Sequence, residues 1–186
     1  MMRHLHTSLL LLCLPLVLAG CSNAGKVDSG GVSLVISNFD GLPSTVAVQD
    51  TVDSSGLVTI GSLTLSSLVQ KPNLGTTDLQ TVELSTYEVV YSRADAGTKV
   101  PTPLVDRLIS SISPGGTTVF NNLPILRSEQ LRNPPLSDLL FVNGGADQET
   151  GSDVIKLNCR LRFFGRTLGG RDVVTNAQSF TVEFRP

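Results

Sequence analysis

Short runs of alternating apolar and polar residues constrain the fold of this chain of 186 residues more than any other feature. In the clearest run, residues 154–164, apolar side chains occupy every second position: Ile155, Leu157, Cys159, Leu161 and Phe163. Polar side chains occupy the positions between them: Lys156, Asn158, Arg160 and Arg162. Because successive side chains of a strand lie on opposite faces of a sheet, this pattern predicts a strand with one buried face and one solvent-facing face.

Similar runs recur along the chain between turns rich in glycine, proline and aspartate. The predicted strands cover residues 32–37, 45–51, 57–68, 81–93, 117–126, 154–164 and 171–184. Residues 104–112 fit a short helix or a strand, and a helical turn is predicted near Pro135 because proline suits the first turn of a helix. No long stretch has the helical period, so the sequence predicts an all-β protein with one short helical turn. The architecture expected is an immunoglobulin/fibronectin-III-like antiparallel β-sandwich with a Greek key and roughly seven to nine strands.

The N-terminal region has a different character. Arg3 precedes an apolar run over residues 9–18. About ten apolar residues form the core of a signal peptide, whereas a membrane-spanning helix needs about 20. The sequence therefore predicts a secretion signal here.

The end of this run, LAGC at positions 18–21, resembles the lipobox of bacterial lipoproteins. The resemblance implies cleavage between Gly20 and Cys21, diacylglycerol on the sulfur of Cys21, and an acyl group such as palmitate on its new amine. More than one chain is needed because a single acyl chain binds a membrane only marginally. In that family an aspartate after the cysteine marks retention at the inner membrane, so Ser22 implies the cell outer membrane.

These features divide the chain into three parts. Residues 1–20 are the expected signal peptide, residues 21–31 are the lipidated cysteine and a flexible Gly/Ser-rich tether, and residues 32–186 are a single β-sandwich domain. The tether is expected to span roughly 16–19 Å on average. This organisation resembles that of uncharacterised bacterial lipoproteins with a lipobox, a tether and one β-sandwich, a resemblance that implies no activity.

The composition of the mature chain excludes several chemistries. Both histidines, His4 and His6, leave with the signal, which removes the usual base of nucleophilic catalysis and the usual zinc ligand. Cys159 is then the only cysteine besides Cys21, so no disulfide within the domain is expected. Loss of Arg3 changes the formal net charge from −2 to −3, a balance that does not indicate a nucleic-acid partner. No cofactor and no enzymatic activity are expected, although a Ser–Lys pair stays formally open.

Two sets of residues are candidate sites. Asp147, Glu149 and Asp153 offer three carboxylates for calcium, but their spacing departs from the EF-hand pattern, and a solvated hairpin loop is the simpler interpretation. Arg160 and Arg162 share the polar face of one strand, where they form a candidate surface for an anionic partner or a solvated face paired with glutamates.

Three functions remain open from the sequence. The first is a non-enzymatic binding or structural module of the cell envelope, held at the membrane by its lipid and facing an unknown protein or glycan. The second is a carrier or chaperone with an apolar ligand between its sheets. The third is a hydrolase that uses only carboxylates, which requires two facing acids about 5–10 Å apart.

Overall fold

The structure, a computed structural model, describes residues 31–186, and nine strands lie in this part of the chain. In order they are β1 (Val32–Asp40), β2 (Thr45–Ala47), β3 (Leu57–Val69), β4 (Val82–Arg93), β5 (Leu104–Ile112), β6 (Thr117–Arg127), β7 (Ile155–Thr167), β8 (Asp172–Val174) and β9 (Gln178–Arg185). The short helices are α1 (Val48–Asp53) and α2 (Ser128–Leu131), with 3-10 turns at Pro72–Leu74, Asp78–Gln80, Leu136–Leu139 and Phe141–Asn143. Within these bounds, no helix has the length and apolar character that a membrane span requires.

The strands form two sheets. Sheet I has three antiparallel strands in the order β1–β3–β6. Sheet II has six strands in the order β2–β9–β7–β4–β5, with β8 paired to the end of β7. Strands β2 and β9 are parallel, and the other pairs of sheet II are antiparallel. The prediction of an all-β, two-sheet protein is confirmed at this level.

One apolar core lies between the sheets. The buried apolar residues of both sheets form a single cluster, and the five alternating apolar residues of β7 are all fully buried. Between the two sheets, the ring of Phe163 lies 5.8 Å from that of Tyr87 and 5.9 Å from that of the partly buried Phe120, measured between centroids. Because burial of apolar surface is the main favourable term in folding, this cluster holds the two sheets together.

Two tyrosine hydroxyls join the sheets through hydrogen bonds. On β4 of sheet II, Tyr87 donates to the carbonyl of Pro124 at 2.9 Å and Tyr91 donates to the carbonyl of Ile125 at 2.5 Å, and both acceptors lie on β6 of sheet I. Burial raises the pKa of both phenols well above the usual range, so both stay protonated donors. Both tyrosines are buried members of the core between the sheets.

Some helical segments differ from the prediction. The strand expected over residues 45–51 ends at Ala47, and α1 begins at Val48. Val48 and Val52 are both buried. Residues four positions apart lie on the same side of a helix and also on the same side of a strand, so their apolar character does not distinguish the two structures. The region around Pro135 contains more than the single helical turn expected, because α2 and two 3-10 turns fill the connection from β6 to β7. The ambiguous residues 104–112 form β5.

The two ends of the sandwich carry different connections. The proximal end is the one where Gly31 lies, and it carries residues 70–81, 113–116 and 168–171. The distal end carries residues 41–56, 94–103 and 128–154. This division places Gly31 and the C-terminal residue Pro186 at opposite ends, because β1 starts proximally and β9 runs to the distal end.

Candidate functional site

The outward face of β7 carries the polar residues that the alternation predicts. Arg162 forms an ion pair with Glu88 of β4, with Nη2 and Oε2 2.7 Å apart, and its guanidinium lies 5.6 Å from the centroid of the Phe164 ring. Near the distal end of the same face, Lys156 pairs with Glu183 of β9 at 2.7 Å. Both of these cations are therefore neutralised by cross-strand carboxylates, as expected for a solvated sheet face.

Arg160 lies between these two ion pairs and differs from its neighbours. In the strand register it is opposite Val90 of β4 on one side and Ser179 of β9 on the other, and neither residue carries a charge. Its side chain is exposed, and within residues 31–186 it forms no ion pair or side-chain hydrogen bond. Arg160 is thus a cation of this face without a carboxylate partner.

A shallow hollow of about 430 Å³ surrounds Arg160 on sheet II. It is lined by Val90, Tyr91, Ser92, Asn158, Arg160 and Ser179. Of these lining residues, Asn158 accepts a hydrogen bond at its Oδ1 from the hydroxyl of Thr181 on β9, at 2.7 Å, which orients that amide. A guanidinium flanked by hydroxyls and an amide suits a carboxylate or sulfate, since Arg binds such groups through paired N–H donors.

The acidic loop is organised by an arginine that the sequence analysis did not single out. Arg93 ends β4, and its side chain is only 3 % exposed. It forms ion pairs with Asp95 at 2.6 Å and with Asp147 at 2.8 Å, and it lies 3.9 Å from Glu149. Because the carboxylate of Asp147 is fully buried, its charge needs compensation, and this ion pair supplies an opposite charge.

Further hydrogen bonds lock this cluster. Asp147 accepts from the hydroxyl of Thr150 at 2.6 Å, and the carboxylate of Glu149 accepts from the backbone of Thr98 at 2.8 Å. Gly97 lies against the guanidinium, since a Cβ at this position would be 2.3 Å from Cζ of Arg93. The cluster therefore joins the connection from β4 to β5 to the loop that precedes β7.

The charges of the cluster depend on these bonds. Burial alone would raise the pKa of Asp147, but the Thr150 hydroxyl and the Arg93 guanidinium lower it below the usual value. At Asp95, burial also raises the pKa, but the bond from Arg93, the bonds from the backbone amides of Lys156 and Gly97 and the charge of Arg93 together lower it below the usual value. Both carboxylates are consequently ionised at neutral pH.

The three carboxylates considered for calcium do not share one centre. Asp147 faces Arg93, Glu149 binds the Thr98 and Lys99 backbone, and Asp153 is exposed. In the part of the chain that the structure covers, no group of three or more Cys, Asp, Glu or His side chains is placed to hold a metal. The loop is also not merely solvated, because Asp147 is buried and paired.

Cys159 and the residues of the proposed lipidation site are the remaining residues that the sequence analysis named. Cys159 is buried, and burial raises the pKa of its thiol to about 12, which makes it an inert member of the core. The signal peptide, Gly20 and Cys21 lie outside the described residues. The structure thus brings Arg160 and Arg162 onto one face of β7, as predicted.

Comparison of the chain with protein-family models, with curated proteins and with solved structures finds no match. The described residues form a two-sheet all-β protein with a single apolar core and a polar hollow around the exposed Arg160 on the outer face of sheet II.

Proposed function

We propose that this chain is a lipid-anchored, non-enzymatic module of the cell envelope that binds an acidic partner, a glycan or a protein, on the outer face of sheet II. The observation that carries the proposal is Arg160, an exposed guanidinium that has no counter-charge among residues 31–186 and lies in a hollow between two ion pairs. An unpartnered arginine on a rigid sheet is pre-organised for an anionic group, because its supporting strands need not rearrange on binding.

The anchor is supported by the lipobox-like residues at positions 18–21 and by the short chain between Cys21 and Gly31. With Ser22 after the cysteine, the proposed location is the outer membrane. The acyl chains on Cys21 would be the membrane contact, and the sandwich would be held close to the lipid surface.

The proposal also includes a finer fold assignment, a Greek-key sandwich of the immunoglobulin or fibronectin type III kind. It is supported by the strand order, in which β1–β3–β6 corresponds to strands A–B–E of that fold. The order β2–β9–β7–β4–β5 corresponds to A′–G–F–C–C′, including the parallel pair β2–β9. Such a fold is a scaffold for many functions and carries no activity by itself.

Two other functions have less support. An apolar ligand between the sheets would need a cavity there, and the single buried cluster fills this space with side chains such as Phe163 and Tyr87. A carboxylate-only hydrolase would need two acids facing a cleft, whereas the buried carboxylate of Asp147 is bound to Arg93.

The Cys21→Ser substitution tests the anchor. In cells grown with a radioactive fatty acid, the wild-type chain is expected to carry the label and to sediment with membranes, because the thiol of Cys21 is the expected site of acylation. The Cys21→Ser variant is expected to lose both properties. A Cys159→Ser variant is the matched control and should keep the label, since this cysteine is buried. Label that persists on the Cys21→Ser variant would refute the anchor.

The Arg160→Ala substitution tests the binding face. Titration of the isotope-labelled chain with a uronic-acid oligosaccharide, followed by NMR, is expected to shift amide signals of residues 90–92, 158–160 and 179. The dissociation constant of the Arg160→Ala variant for this probe is expected to be higher by about tenfold or more, because a hydrogen bond to a charged group contributes about 1.5–3 kcal/mol.

Arg107→Ala is the control for this titration, because Arg107 is also exposed on sheet II but lies on the edge strand β5. Its affinity for the oligosaccharide should match the wild type. Equal weakening by both substitutions would mean that the probe responds to net charge alone, and the proposed face would be wrong.

A further inference from the structure

Three exposed leucines lie at the proximal end of the sandwich. Leu68 is 50 % exposed, Leu79 is 62 % exposed and Leu168 is 50 % exposed. They come from three separate segments: the end of β3, the 3-10 turn Asp78–Gln80 and the turn after β7. Exposed apolar residues also lie in the distal connections, among them Phe141 and Val142, so the two ends differ in their charges and in their distance from residue 31 rather than in apolar exposure alone.

Backbone hydrogen bonds hold these segments together beside the point where the described chain begins. The amide of Gly169 donates to the carbonyl of Leu79 at 2.8 Å, and the amide of Leu168 donates to the carbonyl of Thr81 at 2.9 Å. The amide of Gln70 donates to the carbonyl of Gly31 at 2.7 Å. The leucines therefore form part of a fixed frame around Gly31.

Between these segments lies a hollow of about 470 Å³ with a polar lining that includes Lys71, Thr77, Gln80 and Arg171. The proximal connections carry three exposed charged residues: Lys71, Asp78 and Arg171. Beside them Arg166 and Asp172 pair at 3.7 Å, and Glu83 lies opposite Arg166 in the strand register. This end is thus close to neutral, with two cations at the hollow.

The exposed residues of the distal connections carry a net negative charge. Their exposed acids are Asp50, Asp53, Glu129, Glu149 and Asp153, and their exposed bases are Lys99 and Arg132. An anionic surface would therefore repel the distal end and tolerate the proximal end, which favours one orientation of the molecule on such a surface.

We propose that the proximal end docks on a phospholipid bilayer, with Leu68, Leu79 and Leu168 among the headgroups and the hollow between them facing the lipid phosphates. The inference rests on the proposed lipid anchor, which leaves ten residues, 22–31, between Cys21 and the sandwich. A short linker raises the local concentration of the attached domain to the millimolar range, so even a weak contact is populated. Docking in this orientation leaves the Arg160 face free at the side of the molecule.

The test attaches the chain to vesicles chemically, so that it does not depend on acylation in cells. A chain that begins at Cys21 is coupled through this cysteine to a maleimide lipid in vesicles of phosphatidylethanolamine and phosphatidylglycerol. Cys159 is fully buried, so only Cys21 reacts. Both sheets and the core lie within residues 31–186, so removal of residues 1–20 deletes no described contact.

Tryptophan is the probe because the chain contains none. On vesicles, the Leu79→Trp and Leu168→Trp variants are expected to show blue-shifted emission and quenching by brominated lipid. Phe141→Trp is the matched control at the distal end, where Phe141 is 70 % exposed, and its emission should stay that of an indole in water. The triple variant Leu68→Ser, Leu168→Ser and Leu79→Trp should reduce the docked fraction and the quenching, with a docking equilibrium lower by about tenfold or more.

Three results would overturn the docking. The first is an indole at position 79 that stays in water on coupled vesicles, and the second is quenching at position 141 instead. The third is a blue shift that grows with protein concentration without vesicles, which would assign the leucines to a second copy of the chain. Fatty-acid labelling of Cys21 is unaffected by each of these results, so failure of the docking and failure of the anchor are distinguished.

Discussion

Replacement of Arg93 by methionine is expected to lower the free energy of unfolding by about 3 kcal/mol, because it leaves the buried carboxylate of Asp147 without its partner. Methionine keeps much of the apolar length of the side chain, so the loss reports the charge rather than a cavity. Urea titrations at neutral pH, followed by circular dichroism, measure the difference between variant and wild type.

The same substitution is expected to change the dependence of stability on pH. In the wild type the pKa values of Asp95 and Asp147 are lowered, so their contribution is present above the ordinary aspartate pKa of about 3.9 and is lost as the pH falls through the lowered values. Without Arg93, burial would instead favour the protonated form of Asp147. The difference between wild type and Arg93→Met should therefore shrink as the pH is lowered from neutral towards 3.

The matched control is Lys156→Met, which removes an exposed cation from the same sheet. Lys156 and Glu183 are 46 % and 29 % exposed, and such surface pairs contribute about 0–1 kcal/mol. If Arg93→Met costs no more than Lys156→Met, the cluster around Arg93 does not hold the distal loops together. Adding Asp147→Asn to Arg93→Met should recover part of the loss, since it removes the unpaired buried charge.

Replacement of Phe163 by alanine is expected to be the most damaging single change, with a loss of about 3–5 kcal/mol. Phe163 is fully buried, and its ring contacts Tyr87 of the same sheet and Phe120 of the other. The substitution therefore removes apolar burial and leaves a cavity where the two sheets meet. Equilibrium unfolding in urea measures this loss. The slope of the unfolding free energy against urea concentration is expected to stay the same, and the urea concentration at the midpoint is expected to fall.

Phe141→Ala is the control for this substitution because it makes the same chemical change at a residue that is 70 % exposed. Its effect is expected to stay within about 0.5 kcal/mol. Comparable losses for both variants would mean that Phe163 does not lie in the core, and the packing of sheet I on sheet II described above would be wrong.

The strands and their buried faces could be predicted because the information is local. In β7, alternation over residues 154–164 identifies both the strand and its inward side, and the same argument places Tyr87 and Tyr91 of β4 in the core. Local alternation over only a few positions is weaker evidence, as α1 shows. There Val48 and Val52 satisfy a helix and a strand equally, and the surrounding tertiary structure decides between them.

The Arg93 cluster could not be assembled from sequence because its members are distant in the chain. Asp147 lies 54 residues after Arg93, and nothing in the local pattern of the acidic loop identifies its partner. One signal was present, however. Arg93 continues the alternation of Tyr87, Val89 and Tyr91, which places this cation on the buried side of β4, and a buried cation needs an acidic partner.

The arginine face was predicted only in part. Alternation places Arg160 and Arg162 on one side of β7, but it does not distinguish them. The difference arises from their neighbours across the sheet: Glu88 lies opposite Arg162, whereas Val90 and Ser179 flank Arg160. Strand register depends on which strands pair and how they align. The alternation pattern alone therefore could not predict that Arg160, and not Arg162, lacks a carboxylate opposite it.

We propose above that acyl chains on Cys21 hold this β-sandwich at a membrane. Mass spectrometry of the N-terminal tryptic peptide from the membrane-purified protein tests it most directly. The peptide is expected to run from Cys21 to Lys26 and to carry a diacylglycerol and an amide-linked acyl chain. A peptide that starts before Cys21, or one in which Cys21 is unmodified, would show that the protein has no lipid anchor at this residue.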